Sequence, residues 1–156
     1  MKIADKIFDT DGRPYIMGIL NVTPDSFSDG GQHNSLASAL AATEEMIGQG
    51  ADIIDVGGES TRPGYTMISD DEEIERTAPI IEAIKKNFDV PVSLDTYKSA
   101  VAEAGIKAGA DLINDIWGLK YDKNMAGVIA KYDKACCIMH NRENTDYTNY
   151  LDDVVA

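Results

Sequence analysis

The sequence predicts a parallel α/β architecture of the TIM-type (β/α)8 barrel kind, with about the first five β strands and their helices present. Short apolar runs alternate with longer amphipathic ones along the chain, the order that builds a parallel sheet covered by helices. A motif also repeats. Gly50-Ala51-Asp52-Ile53-Ile54-Asp55 returns 59 residues later as Gly109-Ala110-Asp111-Leu112-Ile113-Asn114, a separation that suits two β-α units of a barrel. In each copy a glycine ends a helix, a strand begins, and a polar side chain follows near the strand's C-terminal end, where barrel sites collect. No GxGxxG follows the first apolar run, which weakens a doubly wound, dinucleotide-binding alternative.

The strands expected are 15–20, 52–56, 90–94, 111–116 and 135–139. Most lack strict alternation, as strands covered on both faces do. Ile54, Val92 and Ile113 are expected to fill the barrel interior. Helical patterns separate the strands. In 35–48, Leu36, Leu40, Thr43 and Ile47 share one face. Ser69 opens SDDE, a capping box with Glu72, and the acids that follow suit the positive end of a helix dipole. Pro79 is expected to kink that helix or to start a second one. Segments 98–107 and 123–132 complete the series, and LDDVVA reads as the start of a fifth helix. Five strands are fewer than the eight of a barrel, so residues 1–156 are expected to form one barrel domain, incomplete at its C-terminus.

Composition narrows the function. The apolar content is 44% and the charged content 26%, ordinary for a globular protein. A net charge of −13 argues against nucleic acid as a partner, because phosphate backbones need a basic surface. It leaves room for a small anionic substrate, since local donors and a metal override a distant field. No run approaches the roughly 18 apolar residues of a membrane helix. The first residues, MKIADKIFDTDGRP, are too broken by charge for a secretory signal, so a cytoplasmic location is expected. Cys136 and Cys137 are neighbours in ACCIM and are expected to be free thiols in a buried strand.

Each expected strand ends in polar residues. The first leads into Asn21-Val22-Thr23-Pro24-Asp25-Ser26-Phe27-Ser28-Asp29-Gly30-Gly31, which in isolation reads as a solvated turn system. The second leads into Gly57-Gly58-Glu59-Ser60-Thr61-Arg62-Pro63-Gly64, where backbone N–H groups and a guanidinium can converge on a phosphate-like anion. The third ends at Asp95-Thr96, and an isolated Asp there usually caps the next helix. Asn114 and Asp115 close the fourth, and buried groups of this kind need protein partners or a ligand. The fifth ends at Met139-His140-Asn141-Arg142, where a lone His is more often structural than catalytic. Taken together, Asn21, Asp95 and Asn114 share one rim, with Thr61 and Arg62 on a neighbouring loop. A carboxylate and amides suit a flat, hydrogen-bonding heterocycle. From the residues alone the chain is expected to belong to a barrel enzyme for a polar, phosphorylated small molecule.

The loops carry a resemblance. IMGILNVTPDSFSDGG at 16–31 and GADIIDVGGESTRPG at 50–64 resemble the two signature segments of the dihydropteroate synthase family, and DTYK at 95–98, Asn114-Asp115-Ile116 and MHNR at 139–142 match in order and spacing. The resemblance implies a transferase of folate biosynthesis that joins a 6-hydroxymethyl-7,8-dihydropterin diphosphate to p-aminobenzoate and releases pyrophosphate. It further implies that Asn21 contacts Mg²⁺, that Thr61 and Arg62 hold the diphosphate, and that Asp95 and Asn114 bind the pterin between the apolar walls Ile116 and Met139. Phe27, Asp29 and Arg62 are its catalytic candidates, the first two on the loop that builds the p-aminobenzoate pocket. The family's later pterin-binding Asp, its Lys, and its C-terminal Arg and His have no counterparts in these residues, and a homodimer is expected of the full-length protein. Two alternatives stay open. One is the pterin-binding domain of a corrinoid-linked methyltetrahydrofolate methyltransferase, which the Asp and Phe of NVTPDSFSDGG disfavour; the other is an inactive fragment.

Overall fold

The computed structural model describes residues 1–9, 11–23, 31–60, 66–142 and 144–155, with backbone only for 31–35. A short antiparallel hairpin, β1 (Lys2–Ile3) and β2 (Lys6–Ile7), comes first. Five parallel strands follow: β3 (Met17–Asn21), β4 (Ile53–Gly57), β5 (Val92–Asp95), β6 (Leu112–Asp115) and β7 (Ala135–Ile138). Between them run α1 (Gly31–Gly48), α2 (Asp70–Asn87), α3 (Ser99–Ala108) and α4 (Met125–Lys131), and α5 (Tyr150–Val155) comes last. Every strand lies beside its sequence neighbour, in the order β3-β4-β5-β6-β7. A doubly wound sheet would reverse direction part-way. This one does not, and it is the partial barrel that the sequence predicts.

Alternation sorts the side chains into two faces. Leu20, Ile54, Val56, Val92, Leu94 and Ile113 join one core cluster with Ile80, Ile81 and Ile84 of α2 and Val101, Ala102 and Ile106 of α3. Ile54, Val92 and Ile113 are therefore buried against the helices and do not fill the barrel interior, contrary to expectation. Their alternates face inward, and register arranges these in layers. Met17 and Ile53 lie lowest; Ile19, Asp55, Ser93, Leu112 and Ala135 form the next layer; Asn21, Gly57, Asp95, Asn114 and Cys137 form the uppermost. The hairpin closes the lower end: Ile3 and Phe8 cluster with Ile53 and Leu112, and Met17 and Ala135 pack on them. No sequence pattern marks these strands. Two-residue strands lie below the length at which periodicity is visible.

The repeated motif has a structural reason. Gly50 and Gly109 both take positive φ, at 101° and 115°, a conformation that closes a helix and that only glycine adopts freely. Two residues on, Asp52 accepts the Ile16 N–H and Asp111 accepts the Val92 N–H, each fixing the start of the neighbouring strand. A cation completes each, Arg13 at Asp52 and Lys85 at Asp111.

Ser69 caps α2 by accepting the Glu72 N–H at 3.2 Å, the first half of the expected capping box, while the Glu72 carboxylate pairs with Arg76 instead of reaching back to Ser69. Pro79 does not start a second helix: α2 runs from Asp70 to Asn87, and burial of Ile80, Ile81 and Ile84 beyond the proline holds it together. Cys136 and Cys137 are free thiols, but both are exposed. Among the described residues β7 borders the sheet, pairing only with β6, so its side chains lack the cover that central strands receive.

Candidate functional site

The upper ends of the strands form a single row. Asn21 pairs with Gly57, Gly57 with Asp95, and Asp95 with Asn114. A Cβ on Gly57 would stand 3.5 Å from Asn21 Oδ1 and 3.7 Å from Asp95 Oδ2, so those two side chains flank the space that the glycine leaves open. One layer lower, Asp55 accepts the Asn114 Nδ2–H at 3.2 Å, a link from β4 to β6 across β5. The apolar positions fall beside this row. Ile116 follows the end of β6 and is half-buried, while Met139 follows β7 and is exposed, its N–H bonded to the Asp115 carbonyl at 3.2 Å.

The row is acidic and short of partners. Asp95 Oδ1 is buried without a hydrogen-bond partner among the described residues. Burial, followed by the nearby carboxylates of Asp55 and Glu73, raises the Asp95 carboxyl to about 7. Burial also pushes the Asp55 carboxyl up, against the hydrogen bond from Asn114. Ser93 Oγ lies close enough to favour the ionised form of Asp55, yet among the described residues neither it nor Asp55 Oδ1 has a hydrogen-bond partner of acceptable geometry. Buried carboxyl oxygens without a protein partner are candidates for a ligand's N–H donors. Asp95 does not cap α3. The cap residue there is Lys98, and Asp122 accepts the Ser99 N–H at 2.8 Å instead.

A second polar cluster lies behind the row, against the helices. Lys98 Nζ bonds Glu59 at 2.8 Å, Glu73 at 2.7 Å and the Ile68 carbonyl at 2.8 Å. Glu59 also accepts from the Ile68 N–H and from the Tyr97 hydroxyl. All four side chains, Glu59, Glu73, Tyr97 and Lys98, are buried. Burial opposes ionisation of Glu59, but Lys98, Tyr97 and the Ile68 N–H outweigh it and its pKa falls; for Glu73 burial wins and its pKa rises. The cluster ties Glu59 to Ile68, on either side of the segment that carries Thr61 and Arg62. Its members went unread in the sequence because Glu59 and Glu73 look like ordinary surface acids until folding brings Lys98 between them.

Among the described residues no group of three or more His, Cys, Asp and Glu side chains could hold a metal ion, and no helix is long and apolar enough to cross a membrane.

The model of the pterin binding enzyme family matches residues 17–156, nearly the whole chain and all five parallel strands. The chain belongs to that family.

Pterin binding enzymes similar to it include a dihydropteroate synthase of Clostridium beijerinckii, 63% identical over 155 residues, covering 99% of this chain and 58% of that protein. A dihydropteroate synthase of Bacillus subtilis is 55% identical over 141 residues, covering 90% of this chain and 50% of that one. The chain thus spans about half the length of the curated relatives it matches. Among solved structures, a dihydropteroate synthase of Clostridium difficile determined in the presence of pteroic acid superposes with a TM-score of 0.88 at 56% identity, covering 92% of this chain and 54% of that one. The Xanthomonas albilineans dihydropteroate synthase with 4-aminobenzoic acid gives 0.83 at 41% identity, over 92% of this chain and 53% of that one.

Of the residues the sequence singled out, Asn21, Asp95, Asn114, Ile116 and Met139 come together at the strand ends. Phe27, Asp29, Thr61 and Arg62 lie outside the described residues. His140 pairs its ring with the Tyr147 hydroxyl at 3.1 Å, in keeping with a structural role. Asp55 was missed as a site residue, although it occupies the same place in the first copy of the repeat as Asn114 in the second. That equivalence was the available signal.

Proposed function

We propose that the protein carrying this chain is a dihydropteroate synthase. The row Asn21, Asp95, Asn114 carries the reading: acceptors and donors at one level of the sheet's strand ends, with a buried Asp95 oxygen that has no partner among the described residues, in a chain similar to proteins of that name. Asp95 and Asn114 take the ring N–H and amino groups of the dihydropterin, and Ile116 and Met139 cover its faces. A ring N–H donor favours the ionised Asp95 carboxyl, whose pKa of about 7 leaves it close to balance before the ligand arrives. Thr61 and Arg62 hold the diphosphate. Phe27 and Asp29 shape the p-aminobenzoate pocket, and the Asp29 carboxylate stabilises positive charge developing on the pterin. The C–O bond to the diphosphate breaks, the amine nitrogen of p-aminobenzoate bonds to the exocyclic methylene carbon, and the nitrogen sheds a proton. Pyrophosphate leaves.

The reading includes Mg²⁺ and a homodimeric, cytoplasmic protein. The donor set fits such an ion in one respect. Asn21 offers a single amide oxygen, exposed beside the opening over Gly57, and Mg²⁺ is commonly held by few protein oxygens plus water and substrate phosphates. Bound there, the ion would neutralise charge on the leaving diphosphate. The experiment is direct: full-length protein incubated with the dihydropterin diphosphate, p-aminobenzoate and Mg²⁺ should release pyrophosphate and form dihydropteroate. Failure to release pyrophosphate would sink the assignment. Methyl transfer from methyltetrahydrofolate to a corrinoid would establish the alternative.

A further inference from the structure

Asp55 is buried in the inner face of β4, beneath the row of residues to which the pterin site is assigned. Its Oδ2 accepts the Asn114 Nδ2–H at 3.2 Å, and its Oδ1 is buried without a hydrogen-bond partner among the described residues. An ionised carboxylate accepts only, so in that state Asn114 turns its Nδ2 toward Asp55, as the observed hydrogen bond has it, and not its Oδ1. We infer that Asp55 is a positioning residue, fixing which way round the Asn114 amide faces the mouth of the site. With one Nδ2 hydrogen committed to Asp55, the amide keeps one N–H and its carbonyl for a ligand, in a set order. That edge recognises a flat heterocycle presenting an acceptor beside a donor, in one orientation of the ring. The residue that carries the link is the counterpart of Asn114 in the internal repeat, so the two copies of one motif supply both halves of the device. Ser93, on the intervening strand, is fully buried in the layer with Asp55 and leaves the link room to cross β5.

The inference rests on reading the site as a pterin pocket, and its test separates the two. Affinity for 6-hydroxymethylpterin is measured by calorimetry in the full-length protein and in Asp55→Leu, Asp55→Asn, Asn114→Ala and Asp55→Leu/Asn114→Ala. Asp55→Leu should bind roughly tenfold or more weakly, Asp55→Asn within a few-fold of wild type because it keeps an acceptor, and the double variant no worse than Asn114→Ala alone. Equal losses from Asp55→Leu in the wild-type and Asn114→Ala backgrounds would overturn the inference, since a general packing defect adds and an action through Asn114 does not. A second measurement needs no variant and no ligand. In ¹⁵N-labelled free protein the Asn114 side-chain NH₂ should exchange slowly with water, and exchange as fast as that of exposed asparagines refutes the link. If wild type binds no pterin, the proposed function fails while the exchange measurement still decides the role of Asp55.

Discussion

Replacing Asp95 by Asn should make the protein more stable and a poorer pterin binder. The carboxyl sits at about 7 in the folded state because burial and then the acids around it disfavour charge, whereas an unfolded Asp ionises near 3.8. A raised carboxyl pKa means that the folded protein holds the proton more tightly than the unfolded chain. Below about pH 4 both states are protonated and the site carries no penalty. The penalty grows as pH rises toward 7 and is constant above it. A gap of about three units corresponds to a ceiling of ~4 kcal/mol, which partial exposure and solvent screening reduce to ~1–2 kcal/mol. Asp95→Asn should recover that amount at pH 8 and almost none near pH 4. Urea denaturation of both forms at the two pH values measures it, with pterin affinity recorded alongside. Affinity should fall by about 1–3 kcal/mol, because the ligand's donors lose a charged acceptor. A variant less stable than wild type at pH 8, or equally stabilised at both pH values, would refute the electrostatic reasoning. Unchanged pterin affinity in the folded variant would remove Asp95 from the site.

Other outcomes follow from the same geometry. Phe27→Leu or Asp29→Asn should impair turnover and p-aminobenzoate use more than pterin binding; steady-state kinetics with equal losses for both substrates would point instead to a folding defect. Lys98→Met leaves Glu59 and Glu73 buried without their cation and should destabilise by about 3 kcal/mol or more, and an unchanged melting temperature would show that the cluster is not a structural clasp. Gly58→Ala forces a Cβ to 2.7 Å from Thr77 Cγ2 and 3.1 Å from Glu73 Cγ and should cost about 1–3 kcal/mol, while Gly57→Ala, with nothing nearer than 3.5 Å, should fold normally; equal stabilities would contradict the packing. A polypeptide restricted to residues 1–156 leaves β3 and β7 as open edges, with Ile19 68% and Ile138 57% exposed, and should associate or melt broadly. Light scattering that gave a 16.9 kDa monomer with a sharp, concentration-independent transition would show otherwise.

The fold class and the upper rim were legible in the sequence because both depend on local or regularly spaced signals. The Gly-Ala-Asp repeat marks helix end and strand start through backbone conformation, and polar residues closing apolar runs mark Asn21, Asp95 and Asn114. Which face a strand residue takes is a different matter. Ile54 and Asp55 are adjacent in one apolar run, and only sheet register sends the first to the helices and the second to the interior. The same holds for the thiols of ACCIM, whose exposure follows from the place of β7 at the border of the sheet. Glu59, Glu73 and Lys98 are 14 and 25 residues apart along the chain, and their mutual neutralisation exists only once α2 and α3 pack together. The sequence by itself determined the order of elements and the residue types at each strand end. Tertiary structure alone decided the Asp55–Asn114 link, the burial that raises Asp95, and the closure of the lower end by Ile3 and Phe8, since each arises between segments distant in the chain that only packing brings into contact.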